Sequence, residues 1–431
     1  MNNIGTTARP KFPLSKKLLC GILCLSLAQT ALAGRAPVTT PGSLDTSFDA
    51  DGIVTTDISQ THDYAFDMAT QSDDKVVVAG SISVGGSVGH SFALTRYNTN
   101  GSLDGGFGIA GKQVTDFGTH DDMAYAVAVS AGKIIAAGTA FGDFALARYN
   151  ADGNLDSSFG NGGKVLTTIS ANTDEIMDIA VQSDGKIVAV GNRLNSVTST
   201  GQFEYIFDYS IVVARYLTDG SLDRSFGSQG IVITDLANRS EVAQAVAIQR
   251  DGKIVVSGVP SLLRYNTNGS LDTSFASGGY VDSTLFGEDV AIQINDKILI
   301  AGNGFVAQYD TLGFPDTTFG ANGRTNITGM NGNAIAVQSN GKIVVGGSAN
   351  PLVCVKSGCY YDIPRLAVAR LNPSDGSLDS SFGKAGIAMV AIGPFSEANG
   401  VGISGSGKIV AAGYTTGGTY PYDFAVARFL P

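Results

Sequence analysis

Ala147-Arg-Tyr-Asn-Ala-Asp-Gly-Asn-Leu-Asp-Ser-Ser-Phe-Gly160 decides the fold, because the chain keeps returning to it. Leu-Asp-x-Ser-Phe or a close variant recurs at Asp45, Asp104, Asp156, Asp223, Asp272, Asp316 and Asp379. A phenylalanine follows each three residues later: Phe48, Phe107, Phe159, Phe226, Phe275, Phe319 and Phe382. A second phrase, Ser183-Asp-Gly-Lys-Ile-Val188, has counterparts around Lys75, Lys133, Lys253, Lys297, Lys342 and Lys408. A third, ending in Ala-Arg-Tyr, supplies Arg96, Arg148, Arg215, Arg264, Arg370 and Arg428, with Gln308 standing once for the arginine. A phrase repeated at this spacing is the mark of a repeat architecture.

Each unit holds four short apolar stretches, here lettered a to d. In the third unit they are 179–182, 186–191, 210–216 and 230–236. They are rich in Val and Ile and bounded by Gly, Asn and Asp, which is the signature of strands and hairpins. No segment keeps a helical period, so about 28 strands and almost no helix are expected. Four antiparallel strands repeated radially make a β-propeller blade. The reading is an all-β, seven-bladed β-propeller. The first stretch, 53–58, is a d strand and the last, 424–429, is a c strand. Their pairing would complete the last blade and remove an exposed sheet edge.

The wording at 147–160 and 183–188 resembles the delta-60 repeat family of bacterial secreted proteins, similar in layout to NHL-type propellers. The likeness spans 42–431, and departs from the pattern at Gln308-Tyr-Asp and Phe314-Pro-Asp316. It implies a secreted, propeller-like protein and brings no activity with it.

Residues 1–33 read as an address. Arg9, Lys11, Lys16 and Lys17 precede an apolar run at 18–28, and Ala31-Leu-Ala33 offers a cleavage site before Gly34. This is the layout of a cleavable secretory signal, too short to stay as a membrane span. Residues 34–41 are then a linker and 42–431 one propeller domain, in the periplasm or outside the cell. Cleavage leaves Cys354 and Cys359, expected to form a disulfide in an oxidising compartment.

Composition narrows the function. Of 431 residues, 38 are acidic and 28 basic, which argues against nucleic acid as partner. Three histidines and four cysteines make a zinc or haem enzyme a poor fit. A polar residue present in every unit suits a scaffold better than catalysis. The repeated Asp is expected to cap an Asx-turn and to pair with the repeated Arg. Loops such as Asn150-x-Asp152-Gly-x-x-Asp156 lack the closing glutamate of a calcium loop and read as hairpin turns. Gly402-Ile-Ser-Gly-Ser-Gly-Lys408 lacks the Ser/Thr of a phosphate loop, and 85–89 lacks the strand and helix of a nucleophile elbow.

Antiparallel order places the a–b and c–d turns on one face and the b–c and d–a loops on the other. The second face varies most, and binding usually resides in such loops. Its candidate ligand-binding residues are Tyr205, Tyr209, Tyr360, Tyr361, Tyr420 and Tyr422, since tyrosine offers broad contact with a polar tip. Its acids, Asp63, Asp122, Asp174 and Glu241 at one aligned position and Asp67, Asp178 and Asp289 at a second, are expected around the channel mouth. Such a ring would attract a cation, calcium among them, or a basic partner. His62 and His120 read as surface polarity. No cofactor is required. The leading reading is a secreted, monomeric module that binds a protein, glycan or peptide without catalysis. The alternatives are a metal-assisted hydrolase or lyase using the acids, and a structural surface protein.

Overall fold

The computed structural model describes residues 40–431 except 85–88, 119–120, 201–204, 237–239, 356–357 and 418–421, and the side chains of 353–360. The expected signal segment, His120, Tyr420 and the side chains of Cys354, Cys359 and Tyr360 lie outside the described residues.

The first strand is β1 (Ile53–Thr56). One sheet then follows in chain order: β2 (Asp63–Thr70), β3 (Val76–Val84), β4 (Gly89–Tyr97) and β5 (Lys112–Thr115). The second is β6 (Met123–Ser130), β7 (Lys133–Ala140), β8 (Asp143–Tyr149) and β9 (Lys164–Thr167). The third is β10 (Asp174–Val181), β11 (Ile187–Ser199), β12 (Tyr205–Tyr216) and β13 (Ile231–Thr234). The fourth is β14 (Val242–Ile248), β15 (Ile254–Val259), β16 (Leu262–Tyr265) and β17 (Tyr280–Val281). The fifth has six strands: β18 (Asp289–Ile292), β19 (Ile298–Tyr309), β20 (Arg324–Val337), β21 (Ile343–Ala349), β24 (Arg365–Leu371) and β25 (Ile387–Val390). A separate hairpin, β22 (Leu352–Val355) and β23 (Gly358–Tyr361), interrupts it. The sixth is β26 (Ser396–Ile403), β27 (Ile409–Thr416) and β28 (Tyr422–Phe429), completed by β1.

The all-β reading holds, with no helix among the described residues. The expectation of seven four-stranded blades is corrected: among the described residues the ring has six blades, five of four strands and one of six. The cause is local. Strand β19 runs through what the sequence suggested were two strands, joined only by Asn303-Gly304. Strand β20 likewise runs from a d stretch straight into an a stretch, because no d–a loop separates Ile327 from Met330. The two long strands pair with each other, Asn303 opposite Asn331 and Phe305 opposite Asn326, which fuses the units. The same region carries the Gln308 departure from the repeat.

The sheets pack face to face through small-against-large layers. Between the first and second, Val77, Ala79, Phe92 and Leu94 meet Ala124, Val127, Ile134 and Ala136, all buried. Buried tyrosines tie sheet to sheet: the Tyr97 hydroxyl donates to Thr56 at 2.8 Å and that of Tyr149 to Thr115 at 2.8 Å. The inner strands β2, β6, β10, β14, β18, β20 and β26 touch in a closed circuit about the axis, the six-stranded blade contributing β18 and β20.

Candidate functional site

One face is a repeated clamp. Asp156 shows its parts. Its Oδ1 accepts the Ser158 amide at 3.2 Å, closing the Asx-turn. Its Oδ2 accepts Arg148 Nε at 2.9 Å and Lys133 Nζ at 3.0 Å. The Arg148 guanidinium lies 4.5 Å above the buried Phe159 ring, a cation–π contact. It also donates to the Thr218 carbonyl of the next sheet. The arrangement recurs around Asp45, Asp104, Asp223, Asp272 and Asp379. Where Gln308 replaces arginine, Lys297 is the one cation on Asp316 among the described residues. Burial pushes the Asp45 carboxyl up, but hydrogen bonds from Lys408 and Ser47 and the Arg428 charge bring it down to about 2. These are structural groups, as the sequence suggested for the Asp–Arg pair.

The d–a and b–c loops meet on the opposite face, where the Asp174 amide donates to the Gly142 carbonyl at 2.7 Å and the Glu241 amide to that of Tyr209 at 2.9 Å. The seven acids singled out from the sequence fall into two sets. Asp63, Asp122, Asp174 and Glu241 are fully buried. Asp63 Oδ2 accepts the Ile58 amide, Asp122 Oδ2 that of Phe117, and Asp174 Oδ2 those of Ile169 and Ser170. These three carboxylates therefore brace the d–a loops.

Asp67, Asp178 and Asp289 belong to inner strands. Asp67 and Asp178 sit at β-bulges, where an extra residue re-aims the side chain. Each of the three accepts its neighbour's amide, Met68, Ile179 or Val290, at 2.7 Å. Each also accepts an amide from the next inner strand: Val127 at 2.8 Å, Val246 at 2.7 Å and Ile335 at 2.7 Å. Burial raises Asp67 to about 6 and Asp289 to about 7, with Asp67 repelling Asp289. Asp178 is pushed well up by burial, then by the charges of Asp67 and Asp289. The three thus feel one another around the axis.

The tyrosines separate too. Tyr205 and Tyr361 are 51% and 61% exposed, at the ends of the β11–β12 and β22–β23 hairpins. Tyr209 is half-buried, 6.4 Å from Phe207. Among the described candidates, Tyr422 enters a larger cluster. Its ring centroid lies 4.9 Å from Tyr64, 5.3 Å from Tyr414 and 5.4 Å from His62. Phe395 adjoins Tyr414 at 5.9 Å. From Tyr64 the row continues to Phe66 at 6.2 Å and Tyr125 at 5.2 Å beyond. Tyr64, Phe66 and Tyr125 were missed in the sequence. The available signal was that they flank Ala65 and Ala124 in strand a, Phe66 and Tyr125 at aligned positions.

Three acids stand in the loop after β1, at the start of β2 and near the start of β28. Asp57, Asp63 and Asp423 each place a carboxylate oxygen within 4.8 Å of the others, a spacing that could hold a metal ion. Asp423 is raised by burial and by the charges of Asp57 and Asp63. Glu397, hydrogen-bonded to Tyr414 and at 2.6 Å to Asn333, faces Glu288. Burial and the Glu397 charge lift Glu288 to about 7. Two clefts of about 400 and 540 Å³ are lined by other residues.

Five segments, 71–107, 132–159, 207–226, 249–275 and 357–382, match the model of a domain of unknown function (DUF5122) beta-propeller. No curated protein matches the chain. Among solved structures, a streptogramin B lyase aligns with a TM-score of 0.52 at 12% identity, covering 88% of this chain and 97% of that one. The extracellular domain of a putative one-component system from B. thetaiotaomicron aligns at 0.42 and 14% identity, over 86% of this chain and 39% of that one. A gluconolactonase from Xanthomonas campestris aligns at 0.38 and 13% identity, over 73% and 95%. At 12% identity the likeness to the streptogramin B lyase speaks for the propeller fold alone.

Proposed function

We propose that this propeller is an extracytoplasmic binding module that holds a protein, glycan or peptide on the face of the b–c and d–a loops, without catalysis. The observation that carries the reading is the row of partly exposed rings, Tyr414, Tyr422, Tyr64, Phe66 and Tyr125, crossing three sheets at that face. Rigid aromatic groups on a fixed scaffold give contact area at small entropic cost. Tyr205, Tyr209 and Tyr361, on outlying hairpins, would extend the contact. Purified protein is applied to glycan and peptide arrays. The reading expects a retained ligand whose affinity falls at least about tenfold in Tyr64→Ala and Tyr422→Ala. A ligand that is chemically turned over, or retention indifferent to both changes, overturns it.

Export is part of the proposal. The basic, apolar and small-residue order of 1–33 supports it. Cys354 stands opposite Cys359 in the backbone register of the β22–β23 hairpin, which supports a disulfide. N-terminal sequencing is expected to begin at Gly34, and thiol titration to find no free cysteine in the mature chain.

A second reading, metal-assisted hydrolysis or lyase chemistry, draws on the Asp57, Asp63 and Asp423 spacing. It requires calcium to raise the melting temperature and Asp423→Asn to abolish that rise.

A further inference from the structure

We infer that the cleft between the fourth and fifth sheets binds a small monocarboxylate with a flat apolar body, its carboxylate held by Arg324. The aromatic row crosses the sixth, first and second sheets, so this is a separate site that stands whether or not that row takes a ligand.

Two departures from the repeat meet at this cleft. The outer strands β1, β5, β9, β13 and β25 have four residues each, whereas β17 has two. The chain therefore leaves the fourth sheet early, after Val281. Across from it, Phe314-Pro315 stands where the other units read Ser-Leu or Asn-Leu, trading a leucine for the shorter proline and a polar residue for a ring. The opening measures about 400 Å³, within the range of small-molecule sites. Tyr280, Val281 and Leu285 line one side, and Tyr309, Phe314 and Pro315 the other.

Arg324 brings a cation to these walls from the start of β20, opposite Ala307. Lys112 and Lys164 hold the same place in their sheets, opposite Thr95 and Ala147. Their Nζ groups donate to the Asp57 and Asp116 carbonyls, on the loop after the neighbouring outer strand, at 2.5 and 2.6 Å. Arg324 makes no such bond. Its guanidinium lies 4.7 Å above the Phe305 ring, and its Nε is shut off from solvent without a hydrogen-bond partner. Among the described residues no hydrogen bond or salt bridge reaches the guanidinium. The ring attracts the charge but offers no acceptor in the guanidinium plane, where the N–H groups point. A cation with its donors unmet gains by the arrival of an acceptor.

The surroundings choose among anions. Among the described residues Arg324 is the one lysine or arginine lining the cleft, and Asp282 lines it too, with no salt bridge joining the two. A dianion would meet a single positive charge and be repelled by Asp282, which disfavours a phosphate or sulfate. A carboxylate carries one charge and matches the guanidinium fork with two parallel hydrogen bonds. The rings of Tyr280 and Phe314 beside it suit a flat apolar body.

The test uses 4-fluorophenylacetate and its neutral amide, 4-fluorophenylacetamide, titrated with the full chain and read by fluorine NMR line broadening at about 150 mM salt, where long-range attraction is screened. The acid is expected to bind at least about tenfold more tightly than the amide. Arg324→Gln should erase that preference. Phe314, 55% exposed, can be changed without emptying the core, and Phe314→Ser should weaken both probes alike. Tyr64→Ala and Tyr422→Ala, on other sheets, should leave both unchanged. Equal binding of acid and amide, a preference that survives Arg324→Gln, or no binding of the acid at about 10 mM overturns the inference. So does a loss of binding in Tyr64→Ala, which would put the probes on the aromatic row, or tighter binding of 4-fluorophenyl phosphate than of the acid. If melting shows Arg324→Gln to be unfolded, Arg324→Lys replaces it: the charge stays and the fork goes, so a reduced preference upholds the inference and an undiminished one overturns it.

Discussion

Val54 lies directly opposite Val426 in the antiparallel pairing of β1 with β28. Both are buried in the layer between the sixth and first sheets. Close by, Arg428 Nε donates to Asp45 at 2.7 Å, joining residues 383 apart in the chain. The ring is thus closed by backbone hydrogen bonds, apolar packing and a buried ion pair together.

Arg428→Ala should be far more damaging than a surface change. It leaves the buried Asp45 with Lys408 as its one cationic partner. Breaking a buried pair from one side costs about 3–5 kcal/mol. Thermal melting should show it, and limited proteolysis should find β1 released first.

Lysine removal should depend on the unit. Lys297→Ala strips Asp316 of the one cation it has among the described residues, whereas Lys133→Ala leaves Arg148 on Asp156. Melting curves should show the larger loss for Lys297→Ala by roughly 1–2 kcal/mol.

The glycine of strand b beside each bulge should resist change. A Cβ at Gly80 or Gly191 would overlap the backbone oxygen of Tyr64 or Glu175. Gly191→Ala should therefore cost several kcal/mol or prevent folding, at about the scale of severe overpacking. Gly105→Ala, with open space around it, should be neutral within about 0.5 kcal/mol.

Stability should peak in mild acid. Asp67 near 6, and Asp289 and Glu288 near 7, titrate above their unfolded values. Their contribution is full below about pH 4 and is lost as pH rises through 6 and 7. Asp45, held near 2, does the opposite: its contribution is present above about pH 4 and is lost as pH falls through 2. Melting temperature should rise by several degrees from pH 8 to pH 5 and fall below about pH 3. Asp178→Asn should raise it at pH 8, by relieving the repulsion among the three axial carboxylates.

What the sequence disclosed was local. Val and Ile runs between Asp-Gly turns announce strands, and one unit contains both members of its Arg148–Asp156 clamp. Pairing of the first strand with the last followed from counting strands in phase. The fused blade did not, because strands normally end at loops, and nothing in Ile327-Thr-Gly-Met330 advertises that the chain stays extended there. The aromatic cluster was hidden for another reason: Tyr64 and Tyr422 stand at opposite ends of the chain, and only ring closure brings them within 4.9 Å. Asp63 and Asp67 looked alike in the sequence. A single bulge residue turns one toward its loop and the other toward the axis.

The contact between Arg428 and Asp45 also orders folding. The ring cannot close before β28 captures β1, so the seam stays open until those two distant segments meet. Such distant pairings are slow to form, and a helper that shields the early edge during that wait would act on β1.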